Sequence, residues 1–213
     1  YTDVVNNLPG GTVIKGGMVA RKSSASAATA VFGKKVAIEG SGAIDLGSLG
    51  STYGQFLSDI EIPDGSTLDF YASRYTYMTS DTNIYITGGG TMNLYARGER
   101  LFLGASKAKH PVDFSGFAGK LNILKGEDTG AGFYGPIFPA HSAKGTSASR
   151  AFYAKTEGDS LLYNVWYTDK LFLDSLFYDL TGVDVTIGEG AAIACESAGG
   201  APNVAMVAVK NLN

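Results

Sequence analysis

Proline, cysteine and histidine are scarce in this chain, whose 213 residues include 6 prolines, a single cysteine and 2 histidines. The lone Cys195 excludes an internal disulfide, and its apolar setting in AAIAC predicts a buried small side chain rather than a reactive thiol. A metal site or a Ser-His-Asp triad would have to use His110 or His141, and neither metal-ligand spacing nor a G-x-S-x-G turn accompanies them. No metal and no cofactor is expected. An excess of basic charge is missing too. Lys and Arg number 17 against 20 Asp and Glu, a net charge of -3, so there is no broad field to attract nucleic acid or anionic membrane. No apolar run is long enough to span a bilayer. The chain starts at Tyr1 without Met or a signal-like segment, which suggests a mature or excised piece of something longer.

Glycine, by contrast, supplies 29 residues, and Ala, Ser, Thr and Tyr are plentiful. Such a composition suits many short strands joined by tight turns and disfavours long helices. The length suffices for one sizeable core, and no compositional shift marks a boundary, so one domain over 1–213 is expected.

A repeat organises the middle of the chain. VAIEGSGAIDL (Val36 to Leu46), IEIPDGSTLDF (Ile60 to Phe70) and IYITGGGTMNL (Ile84 to Leu94) match in type column by column, and their starts are 24 residues apart. Each reads apolar-x-apolar, a glycine-rich bend, then apolar-[Asp/Asn]-apolar, which is two half-buried strands with alternating faces. Val36/Ile38, Ile60/Ile62 and Ile84/Ile86 form one expected inward wall, and Ile44/Leu46, Leu68/Phe70 and Met92/Leu94 a second. Tyr53, Tyr77 and Leu101, again 24 apart, suggest a third strand per coil. VDFSGFAGKLNI (Val112 to Ile123) repeats the grammar with one extra bend residue, and VDVTIGEGAAI (Val183 to Ile193) repeats it without insertion.

Two strand triplets within one unit and no helical stretch argue against leucine-rich repeats, while hexapeptide coils and propeller blades have other periods. The expected fold is all-β, a parallel β-helix (solenoid) of about 24 residues per coil. Regular coils span 36–123, an irregular insertion 125–160 and further coils 161–213, so the C-terminal half is the decorated one. Open ends call for a cap, either the N-terminal YTDVVNNLPGG or a short helix in SSASAATAVF (Ser23 to Phe32).

The recurring forms SGAIDL, GSTLDFYA, GGTMNLYA and AGKLNIL resemble secreted bacterial right-handed parallel β-helix proteins, in particular autotransporter-passenger and adhesin-like surface repeats. The resemblance covers Val36 to Ile123 and, less closely, Val183 to Ile193. It implies a right-handed coil and an extracellular or cell-surface location. It does not choose a task, because the same solenoid carries adhesins, lyases, glycosidases and inert stalks.

Candidate chemistry is sparse. Gly88, Gly89 and Gly90 lack the lysine of a phosphate loop and the third glycine of a dinucleotide turn. Their counterparts EGSGA and PDGST make them a corner. Asp45, Asp69, Asn93 and Asn122 form an outward column, read as a solvated ladder rather than a Ca²⁺ site. Arg74, Arg97 and Arg100, with Glu99 beside them, fall near one corner and offer bidentate contacts to an acidic sugar. Tyr71 and Tyr95 repeat one coil apart and could stack on sugar rings. Lys125 to Ser160 departs from the repeat, as binding excursions do. These features predict a non-catalytic extracellular scaffold or adhesin-like segment contacting glycans or surface proteins. The alternative is a polysaccharide lyase or glycoside hydrolase on a pectate-lyase-like β-helix, against which ARGER lacks the R-x-P-x-x-R pattern.

Overall fold

The computed structural model describes residues 9–20, 27–30, 32–46, 53–72, 75–78, 84–97, 100–103, 112–127, 135–139, 152–157, 160–166, 177–196 and 206–213. The first coil supplies β1 (Thr12–Ile14), β2 (Met18–Ala20) and β3 (Ala27–Ala30), and the second β4 (Lys35–Ile38), β5 (Ser41–Asp45) and β6 (Tyr53–Phe56). The third has β7 (Asp59–Glu61), β8 (Thr67–Tyr71) and β9 (Tyr75–Met78), and the fourth β10 (Ile84–Thr87), β11 (Thr91–Ala96) and β12 (Arg100–Phe102). There follow β13 (Val112–Asp113), β14 (Lys120–Lys125) and β15 (Pro136–Pro139), then an antiparallel pair, β16 (Phe152–Glu157) and β17 (Ser160–Trp166). The chain ends in β18 (Phe177–Ile187), β19 (Ala194–Glu196) and β20 (Met206–Leu212).

Strands with the same place in successive coils pair in parallel. They build a five-stranded sheet (β1-β4-β7-β10-β13), a seven-stranded sheet (β2-β5-β8-β11-β14-β18-β20) and a six-stranded sheet (β19-β15-β12-β9-β6-β3). The molecule is an all-β parallel solenoid of about 4 turns with about 26 residues per turn. A single coil cannot bury its own inner face, and stacking solves this by laying like on like. Val36, Ile38, Ile60, Ile62, Ile84 and Ile86 are all buried from the first wall, as are Ile44, Leu46, Leu68, Phe70, Met92 and Leu94 from the second. Each contributes on the order of 1.5–3 kcal/mol by leaving water.

The register departs from a uniform interval of 24, and the cause is one corner. Ala37 pairs with Glu61, 24 residues on, but Ser41 pairs with Thr67, 26 on. In the next coil Glu61 pairs with Thr87, 26 on, and Thr67 with Thr91, 24 on. The bend between Glu61 and Thr67, which holds the Pro63–Asp64–Gly65 turn, is therefore two residues longer than its neighbours. Two residues preserve side-chain parity, so the same faces stay inward while every partner moves. Ile86, not Ile84, lies opposite Ile60, and Asp45 lies opposite Tyr71 rather than Asp69.

The third wall differs in parity from the expected one. Tyr77 pairs with Gln55 and Phe102, and Leu101 pairs with Thr76. Among the described residues Phe56, Thr76, Met78, Leu101 and Leu103 are the buried positions, and the link from β9 to β12 places Tyr75 opposite Arg100, an interval of 25, an odd offset that sets Leu101 in line with Thr76 rather than Tyr77. Val183 to Ile193 also takes a different place. Val185 pairs with Leu121 and Ile187 with Ile123, so this segment continues the second strand of the coil rather than starting a new first strand. Within the suggested N-terminal helix, Ala27–Ala30 is a strand paired with β6.

Candidate binding surface on the seven-stranded sheet

The outer face of β5, β8, β11 and β14 carries two columns of half-buried side chains that flank the buried ones. The first runs Ala43, Asp69, Asn93, Asn122, Thr186. Asn122 Nδ2 donates to Asn93 Oδ1 at 2.8 Å, and Asn93 Nδ2 donates to Asp69 Oδ1 at 2.8 Å. The amides thus form a directional chain that ends on a carboxylate, and its last bond is charge-assisted. Of the four residues expected in this column, Asp69, Asn93 and Asn122 occupy it, whereas Asp45 stands in the next one.

The second column runs Asp45, Tyr71, Tyr95, Leu124. Tyr71 and Tyr95 are stacked, with centroids 4.5 Å apart and planes at 11°, a π-stack that matches the spacing of adjacent strands. Arg97 follows the end of β11 and turns back along the axis. Its guanidinium carbon lies 4.8 Å from the Tyr71 centroid, and its Nη1 donates to Asp45 Oδ1 at 2.5 Å, two coils away. The ion pair is largely covered, with side-chain exposures of 15% for Arg97 and 18% for Asp45. Burial, then the negative charge of Asp69 and the neighbouring Tyr71, raise the Tyr95 phenol above its ordinary pKa.

Tyr71, Tyr95 and Arg97 are therefore brought together by the fold. Arg74 lies outside the described residues, as do Glu99, His110 and His141; Arg100 opens β12, and its side chain is outside the described set. Asp45 is the member that the equal spacing of the repeats sets in the wrong column, because the corner after Glu61 is two residues longer than its neighbours. The ring faces lie along the solenoid axis against each other and against Arg97. Tyr71 and Tyr95 are half-buried on this outer face, and the Arg97 guanidinium beside them is largely covered.

The Gly88–Gly90 corner is occupied by backbone. Gly88 N donates to Gly116 O at 3.0 Å and Gly90 N to Ile62 O at 2.9 Å, while the carbonyls of Gly88 and Gly90 accept from Ala118 N and Lys120 N. Donors committed in this way cannot cradle a phosphate. Among the described residues no group of three His, Cys, Asp or Glu side chains is placed to hold a metal ion, and no helix is long and apolar enough to cross a membrane. No protein-family model matches this chain, and no curated protein or solved structure is significantly similar to it.

Proposed function

We propose that this chain is a non-catalytic, adhesin-like scaffold segment of a secreted or cell-surface protein, of the bacterial β-helix kind its repeats resemble, and that its seven-stranded sheet faces glycans. The observation that carries this reading is the direction of the outer polar contacts. Asp45–Arg97, Asp69–Asn93–Asn122, Lys35–Glu61, Lys15–Glu39 and Asp184–Asn211 all run from coil to coil. Polar groups used as axial fasteners favour a stiff rod over a reaction centre, where carboxylates would face one another across a groove.

The glycan reading draws on Tyr71 and Tyr95, half-buried on the outer face, with the Arg97 guanidinium beside them. Phenol edges and hydroxyls meet both the C–H faces and the hydroxyls of sugars. A glycan array comparing wild type with Tyr71→Ala and Tyr95→Ala tests it. Binding by wild type that weakens in both variants supports the assignment, and equal binding by all three removes it. Release of reducing ends or unsaturated products from a polysaccharide panel would overturn the non-catalytic reading.

A further inference from the structure

Two phenols held face to face on adjacent strands are arranged for oxidative coupling. Tyr71 and Tyr95 are direct partners in the β8–β11 ladder. With centroids 4.5 Å apart and planes at 11°, carbons of the two rings approach van der Waals separation, about 3.5–4.0 Å. Both rings are half-buried on the outer face, unlike the core Phe70 one position before Tyr71. The backbones beneath them are fixed, because β8 and β11 each have a hydrogen-bonded neighbour on both sides. A radical formed on one ring therefore has its partner already in place, and no search by diffusion is needed.

We propose that Tyr71 and Tyr95 are a cross-linking site at which a peroxidase-class oxidant with hydrogen peroxide forms an intramolecular dityrosine, fastening the third and fourth coils covalently. Each phenol loses one electron and one proton, and together these reduce one hydrogen peroxide to two waters. The two phenoxyl radicals join by a new C–C bond between carbons ortho to the oxygens. The hydrogens on those carbons move to the oxygens as the rings regain aromaticity, so the product is two hydrogen atoms lighter than the pair. The surroundings favour loss of electron and proton together. Arg97 beside the Tyr71 ring disfavours a ring cation. Burial and the carboxylate charge of Asp69 hold the proton on the Tyr95 phenol, which disfavours loss of the proton ahead of the electron.

Covalent fastening of the two coils is independent of what the strip binds. It is tested by treating dilute folded protein with peroxidase and hydrogen peroxide, isolating the monomer, and mapping its peptides by mass spectrometry. The expected result is a peptide joining Tyr71 to Tyr95, lighter by two hydrogens and with dityrosine fluorescence. It should be lost in Tyr71→Phe and Tyr95→Phe, which keep the ring stack, and lost from wild type oxidised in urea. The proposal is overturned if the folded wild type lacks the link while free tyrosine in the same reaction dimerises. It is equally overturned if the links are only between molecules, or if replacing either ring by phenylalanine leaves the yield of intramolecular dityrosine unchanged.

Discussion

Alanine at three corner glycines separates backbone strain from close packing. Gly65 has φ +77°, and a Cβ there would meet open space. Gly90 lies outside the positive-φ set, but its Cβ would fall 2.5 Å from both Pro63 O and Ser66 O. Gly88 combines both problems, with φ +106° and a Cβ that would overlap Ile62 O. A left-handed backbone costs a non-glycine residue roughly 1–2 kcal/mol, and overpacking against fixed backbone about 1–3 kcal/mol. Gly65→Ala is thus expected to cost ~1–2 kcal/mol, Gly90→Ala ~1–3 and Gly88→Ala ~2–5, the sum of the two. At about 2–4 °C per kcal/mol for a chain of this size, Gly88→Ala lowers Tm by roughly 4–20 °C. Thermal unfolding followed by far-ultraviolet circular dichroism measures all three. The reasoning fails if Gly88→Ala is no more destabilising than Gly65→Ala, because coil contact at that corner would then be absent.

The remaining expectations concern the axial fasteners. Asn93→Ala removes both bonds of the amide chain and should cost about 2–4 kcal/mol in urea unfolding, against about 1 kcal/mol for Asn122→Ala, whose described side-chain bond is neutral; equal costs would contradict the directional ladder. A double-mutant cycle of Asp45→Ala and Arg97→Ala should show a coupling of about 1 kcal/mol or more, since the pair is largely covered, and additivity would separate the two residues. Asp184 has its pKa lowered, first by the hydrogen bond from Asn211 and then by Lys210, against an opposing desolvation. Its contribution is present above the unfolded carboxylate value of 3.8 and is lost as pH falls through the lower folded value. Between about pH 5 and pH 2, Asp184→Asn should therefore lose less Tm than wild type, and parallel curves would refute the linkage.

Side-chain parity was the legible part of the fold. Strict alternation in VAI, IEI, LDF and MNL assigns faces whatever the register, and a corner longer by two residues leaves that assignment intact. The partner of each residue depends on corner length, which the gapless spacing conceals. Tyr71 and Tyr95 were readable as neighbours because the β8–β11 pairing keeps the interval of 24. The link from Arg97 to Asp45 was not, because it crosses the longer corner. The third sheet resisted for the same reason with an odd offset, and the jump from Lys120 to its partner Asp184 left no local period to align.

The most direct measurement is disulfide trapping of the register on a Cys195→Ala background. Glu61 and Thr87 are direct partners, whereas Glu61 and Tyr85, 24 residues apart, are offset by two along the strand. Neighbouring strands stand about 4.8 Å apart and two residues add about 6.6 Å along the strand, so Cα atoms of the offset pair lie roughly 8 Å apart. A disulfide needs Cα atoms within about 7 Å. Glu61→Cys with Thr87→Cys is expected to oxidise fully in the folded monomer, and Glu61→Cys with Tyr85→Cys to stay reduced. Oxidation of the second pair but not the first would contradict the coil register on which the Asp45, Tyr71, Tyr95 and Arg97 arrangement depends.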